Sequence, residues 1–162
     1  MPAYKFKNSF VAVIDSLIKT LEGDDELKIF CDERFRSSLK VSKKYTDVEQ
    51  INTGEYPIIM ITRPDVDNSG FSASSVKVDI IHTVRLTCGF KRMDSRTRPE
   101  RYLDDMIQWD ELLDHVILTT PNPGGLQIKI ARSMNDEGRF KPPYYFLVKE
   151  IKITQRINPL ER

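Results

Sequence analysis

Cysteine and histidine are scarce in this chain, two of each among 162 residues. Cys31 and Cys88 are too few for a disulfide framework, so a reducing compartment is expected. No C-x-x-C or H-x-x-x-H spacing occurs, which removes the usual zinc-holding pairs. His82 and Cys88 fall on one face of a predicted strand, but six extended residues separate them by about 20 Å, too far to share an ion. Charge of one sign is also lacking: 25 Lys and Arg stand against 24 Asp and Glu, for a net charge of +1. No global field draws such a chain to nucleic acid or to a membrane surface. No stretch reaches the roughly 20 apolar residues that a bilayer span needs. Lys5 and Lys7 precede FVAVIDSLI, but Asp15 interrupts that run and no small-residue cleavage site follows, so a secretory signal is not expected. No nucleophile elbow, phosphate-binding glycine loop or dinucleotide fingerprint is present. Gly124 and Gly125 follow Pro-Asn-Pro and precede a strand pattern, which makes a turn and not a phosphate-binding helix N-terminus.

What the chain does have is a long alternating run at residues 76–91, VKVDIIHTVRLTCGFK. Val76, Val78, Ile80, His82, Val84, Leu86, Cys88 and Phe90 share one face, while Lys77, Asp79, Thr83, Arg85, Thr87 and Lys91 share the other. Period-two alternation predicts a strand with one buried face. Fully extended, it would reach about 50 Å, against a diameter of roughly 40 Å for a compact domain of this size. The strand is therefore expected to bend, or to project as an arm of a long β-hairpin.

The rest is the pattern of one soluble domain, residues 1–162, long enough to bury roughly 70% of its unfolded surface. Phe6, Phe10, Val13, Ile14, Leu17 and Leu21 predict an amphipathic helix closed by Gly23 at its C′ position. Leu27, Ile29 and Cys31 alternate as a short strand, and a second short strand is placed near 39–45. Ile58-Ile59-Met60-Ile61, introduced by Tyr56-Pro57, predicts a strand buried on both faces. Residues 65–75 are rich in Asp, Asn, Ser and Gly and read as the hairpin loop. A second helix is predicted over 99–118, with Tyr102, Met106, Trp109, Leu113, Val116 and Ile117 inward. Leu126, Ile128 and Ile130 begin a further strand. YYFLVKEIKITQRI is the last, and the apolar phase shift between Val148 and Ile151 predicts a β-bulge. The fold class is α+β: a largely antiparallel, mixed sheet with two amphipathic helices packed on it.

Few residues invite chemistry. Glu111 and His115 are an i, i+4 pair beside Asp104, as acid–base catalysis could use, but such pairs commonly dress a solvated helix face. No nucleophile or oxyanion hole accompanies them. Residues 91–101 carry five basic and two acidic side chains. They suit either phosphate contact or a solubilising turn whose arginines pair with Asp104, Asp105 or a neighbouring subunit. Without interleaved aromatics, direct nucleic-acid reading is not expected. Phe71 sits alone in a polar loop, as an interface anchor does. Phe71, Arg92, Arg96 and Arg98 are the candidate contacts to a subunit or to another protein.

The order of these pieces resembles the tail terminator (tail completion, minor tail) proteins of long-tailed bacteriophages and prophages. An opening helix, FVAVIDSLIKTL, precedes EYPIIMI, the long strand VKVDIIHTVRLTCGF, the helix RYLDDMIQWDELLDHVIL, and the closing strands LQIKIAR and FLVKEIKITQRI. The resemblance is one of layout over nearly the whole chain; residues 32–55 do not align. It implies a non-enzymatic structural protein without cofactor or bound metal. Such a protein forms a ring, typically a hexamer, that caps the tail tube, ends its polymerisation and offers the head-attachment surface. The implied partners are further copies of itself, the tail tube protein and head–tail connector proteins, with DNA only passing through the lumen and no membrane. The implied location is the virion tail, assembled in the bacterial host cytoplasm. A head–tail connector or neck protein would show nearly the same features, and an enzyme working through Glu111 and His115 is the rival of another class.

Overall fold

The computed structural model describes residues 9–67, 78–92, 101–119, 127–135 and 144–157. The elements are α1 (Phe10–Gly23), α2 (Asp25–Phe35), β1 (Lys40–Ser42), two short 3-10 turns (Val48–Gln50 and Thr53–Glu55), β2 (Ile58–Asp67), β3 (Val78–Lys91), α3 (Arg101–Leu118), β4 (Gln127–Asn135) and β5 (Tyr144–Ile157). The strands form one sheet in the order β1-β2-β3-β5-β4. Only β1 and β2 run parallel, and the other pairs are antiparallel. The fold class is α+β with a mixed, largely antiparallel sheet, as expected.

Local signals explain the helix boundaries. Ser9 caps α1 by accepting from the Val11 amide at 3.3 Å. Asp24 both ends α1 and starts α2, its carboxylate accepting from the Leu27 amide at 2.8 Å. This is N-capping by a short acceptor at the expected place. Gly23 is therefore the last helical residue and not a C′ cap. The strand expected at Leu27–Cys31 is instead α2, which raises the count to three helices. Leu27 and Cys31 are both buried while Ile29 is exposed, the i, i+4 spacing of a helix face. Three alternating positions could not distinguish the two periods. Arg36 closes α2 in the left-handed region at φ 55°.

All three helices lie on one face of the sheet. Val13, Leu17, Leu21, Leu27, Cys31, Met106, Trp109, Leu113 and Ile117 pack against Ile59, Ile61, Val84, Leu86, Cys88, Phe90, Leu147, Ile151 and Ile153. Of the predicted inward stripes, Phe10, Val13, Leu17 and Leu21 of α1 and Met106, Trp109, Leu113, Val116 and Ile117 of α3 are buried. Ile14 and Tyr102 are partly buried against the same core, and Phe6 lies outside the described residues. On the far face, Ile58, Met60, Tyr56 and Phe146 form a smaller cluster under Val48 and Ile51. The run 58–61 is thus buried on both sides because Val48 and Ile51, from the segment around the 3-10 turns, pack on its outer side.

The long strand is matched within the chain. β5 pairs with β3 at every position, Val78 with Ile157 through Lys91 with Tyr144, without a shift. The bulge expected in the last strand is absent. Tyr145, Leu147, Lys149, Ile151, Ile153 and Gln155 alternate inward without interruption, and the break in apolar phase is Lys149, a charge in a core position. The irregularities lie in β4, between Ile130 and Arg132, and in β2, between Thr62 and Asp65.

Candidate functional site

Glu111, His115, Asp104 and Gln108 all stand on the exposed side of α3. Arg92 is placed otherwise than an exposed loop would have it. Its side chain is 13% exposed and its guanidinium pairs with Asp105, which is 1% exposed. The same carboxylate accepts from Arg34 of α2 at 3.1 Å. Asp105 therefore ties α2, α3 and the end of β3 together, and of the two pairings expected for the arginines, the intramolecular one is realised at Arg92. Phe71, Arg96 and Arg98 lie outside the described residues.

His82, Cys88 and Cys31 are separate. Cys31 is buried in α2, and burial with the nearby Asp32 charge pushes its thiol up to about 12. Cys88 is fully enclosed, and burial raises its thiol further; neither is a ready nucleophile. Among the described residues, no three His, Cys, Asp or Glu side chains are grouped to hold a metal ion.

The imidazole of His82 stacks on Phe10 with centroids 3.6 Å apart. Its Nε2 lies 2.8 Å from Gln155 Oε1, and its Nδ1 lies 3.3 Å from an Arg63 nitrogen. An amide oxygen only accepts, and a guanidinium only donates. The ring is therefore neutral with its proton on Nε2. Burial lowers its pKa, and the Arg63 charge adds to the effect against the Gln155 hydrogen bond. Nearby, a cavity of about 380 Å³ opens between α1 and β2, lined by Phe10, Val11, Ile14, Ile61, Lys43 and Arg63.

The charge network least visible in the sequence centres on Lys149, which is 0% exposed. Its ammonium donates to Asp110 and Asp114 of α3 and, at 2.8 Å, to the Ser133 hydroxyl of β4. Ser133 in turn donates to Asp110 at 2.9 Å. A buried ammonium needs such partners, and here they fix α3 over the β5–β4 pair. A serine beside a lysine suggests a catalytic dyad, but here the Ser133 hydroxyl accepts from Lys149 and donates to Asp110, so its proton points away from the lysine. The only sequence signal was negative: one lysine where the alternation called for an apolar residue.

The outer sheet face beyond the 3-10 turns is polar. Glu150 accepts from Arg85 at 2.8 Å and from Arg132 at 3.0 Å, and these two arginines lower its pKa. Arg156 donates to Asp79 at 2.8 Å. Lys129 of β4 stands directly opposite Lys152 of β5.

Among the described residues, no helix is long and apolar enough to cross a membrane. No protein-family model matches the chain, and no curated protein matches it.

Proposed function

We propose that this chain is a structural subunit of a long-tailed phage particle, of the tail terminator kind. In this reading, copies form a ring on the end of the tail tube, stop its growth and present the surface that receives the head. The observation that carries the reading is the order of elements. A capped opening helix, the strand after Tyr56-Pro57, the long strand β3, the amphipathic α3 and the closing strands β4 and β5 follow in the order on which the resemblance rests. A ring subunit needs two different surfaces, because a head-to-tail contact is heterologous. The domain supports this with two unlike faces, a helical one and an open charged sheet face.

The test is a phage carrying the coding sequence with this chain deleted, viewed by negative stain. Tails of irregular or excess length and heads without tails are expected, and the purified chain should restore regular tails. Tails of normal length that merely fail to join heads would move the chain to the neck of the particle. Phe71→Ala, or Arg96→Glu with Arg98→Glu, should melt normally yet fail to cap tubes. His115→Ala should leave particle yield unchanged; loss of yield in a His115→Ala protein that folds and self-associates like the wild type would support the enzymatic rival.

A further inference from the structure

We infer that copies of this chain associate head to tail, the solvent side of α3 on one copy meeting the outer sheet face at β4 and β5 on the next. The near-neutral total charge hides a separation of sign. α3 carries five acidic residues and a single arginine, whereas β4 and β5 together carry five basic residues and a single glutamate. Lys149 faces inward onto Asp110 and Asp114, and Asp105 is buried and paired with Arg34 and Arg92. The exposed acids of α3, Asp104 and Glu111, however, lie across the sheet from the exposed bases of β4 and β5, Lys129, Arg132, Lys152 and Arg156.

On α3, Asp110 and Asp114 are occupied by Lys149, but Asp104 and Glu111 are exposed. Between them and beyond stand Leu103, Ile107 and Leu118, large apolar side chains open to solvent. On the sheet face, Lys129 and Lys152 are both exposed and directly opposite each other. Like charges opposite one another destabilise a strand pair. The neighbouring row adds Arg85 and Arg132 around Glu150, so the carboxylate two residues from Lys152 on its own strand is already engaged twice. Met134, exposed on the same face of β4, offers apolar surface. A cationic face with some apolar area fits an acidic helix side with exposed leucine and isoleucine.

The sign pattern also selects the symmetry. A two-fold pairing through either surface would set acid against acid or base against base. Only a heterologous contact satisfies both, and such contacts build rings or filaments. This inference rests on the self-assembly in the reading above, but it specifies the contact in the free protein and does not require a tube.

Sedimentation of the full chain at low ionic strength tests it. The wild type should associate as concentration rises and dissociate on adding salt, since exposed charges are screened. Lys129→Glu with Lys152→Glu should sediment as a monomer, and so should Asp104→Lys with Glu111→Lys, each melting like the wild type. An equimolar mixture of the two variants should associate again, because every contact then joins opposite signs. A wild type that stays monomeric, a charge-reversed variant that still associates, or a mixture that stays monomeric would overturn the inference. The tail reading would survive any of these if regular tails still depend on the chain. Conversely, restored association with no effect on tails would remove the tail reading and keep the contact. Fluorescence anisotropy with labelled duplex DNA supplies the last arm: binding that Lys129→Glu with Lys152→Glu abolishes, without self-association, assigns the face to nucleic acid and refutes the proposal.

Discussion

The ring of His82 lies flat on that of Phe10, with centroids 3.6 Å apart and planes 7° from parallel. The stack joins the start of α1 to the middle strand of the sheet, and it holds a titratable group in the core. Because burial lowers the folded pKa of His82 below its ordinary 6.5, the unfolded chain binds more protons there in mildly acidic solution. Stability from this residue is therefore full above about pH 6.5 and falls as pH drops toward the folded value. Melting temperature should fall between pH 7 and pH 5, roughly the span over which an ordinary histidine titrates. His82→Phe keeps an aromatic partner for Phe10 and should flatten that dependence. An unchanged slope in the variant would place the titration elsewhere.

The two faces of β3 should respond differently to charge. Val84 is buried under the helices, so Val84→Asp puts an unpaired carboxylate in the core, at a cost of about 4 kcal/mol or more. Thr83, on the outer face opposite Lys152, should tolerate aspartate to within about 1 kcal/mol. Urea unfolding measures both, and comparable losses would mean that the outer face is covered as well.

Lys149 should show an asymmetry. Removing both of its carboxylates, Asp110→Ala with Asp114→Ala, leaves a buried ammonium without counter-charge and should cost about 3–5 kcal/mol. Lys149→Met leaves the carboxylates behind, but those are partly exposed and reach water, so the loss should be clearly smaller. Denaturation midpoints of the two proteins would reveal the order, and a reversed order would contradict the placement of the charges.

Gly89 is tightly enclosed: an added Cβ would lie 2.6 Å from an edge carbon of Phe146 and 3.0 Å from one of Tyr56. Both rings belong to the outer cluster, so Gly89→Ala must displace an aromatic side chain, at about 1–3 kcal/mol. Calorimetry on the alanine variant checks this. Gly89→Ala with Phe146→Leu should recover part of the loss.

Much of the fold was legible because it follows periodicity. The alternation from Val78 to Phe90, the inward stripe of α3 and the doubly buried run 58–61 each repeat long enough to define a period. Where the signal was short or mixed, the reading failed. Leu27, Ile29 and Cys31 fit period two as three points, while the cap at Asp24 and the i, i+4 burial of Leu27 and Cys31 belong to a helix. The lysine at 149 looked like a slip in register because its compensating partners, Asp110, Asp114 and Ser133, lie far away in sequence.

The sequence by itself determined the α+β class, the long strand with one apolar face, and the lack of the zinc spacings and phosphate loops that announce a metal or nucleotide site. Those are properties of neighbouring residues, and local backbone geometry reads them out directly. Tertiary structure alone decided that β3 would pair end to end with β5, that Arg92 would turn inward to Asp105, and that Lys149 would be buried between Asp110 and Asp114. Each depends on contacts between residues remote in the chain. Burial and the Coulomb interaction act through space, whereas periodicity is written along the sequence.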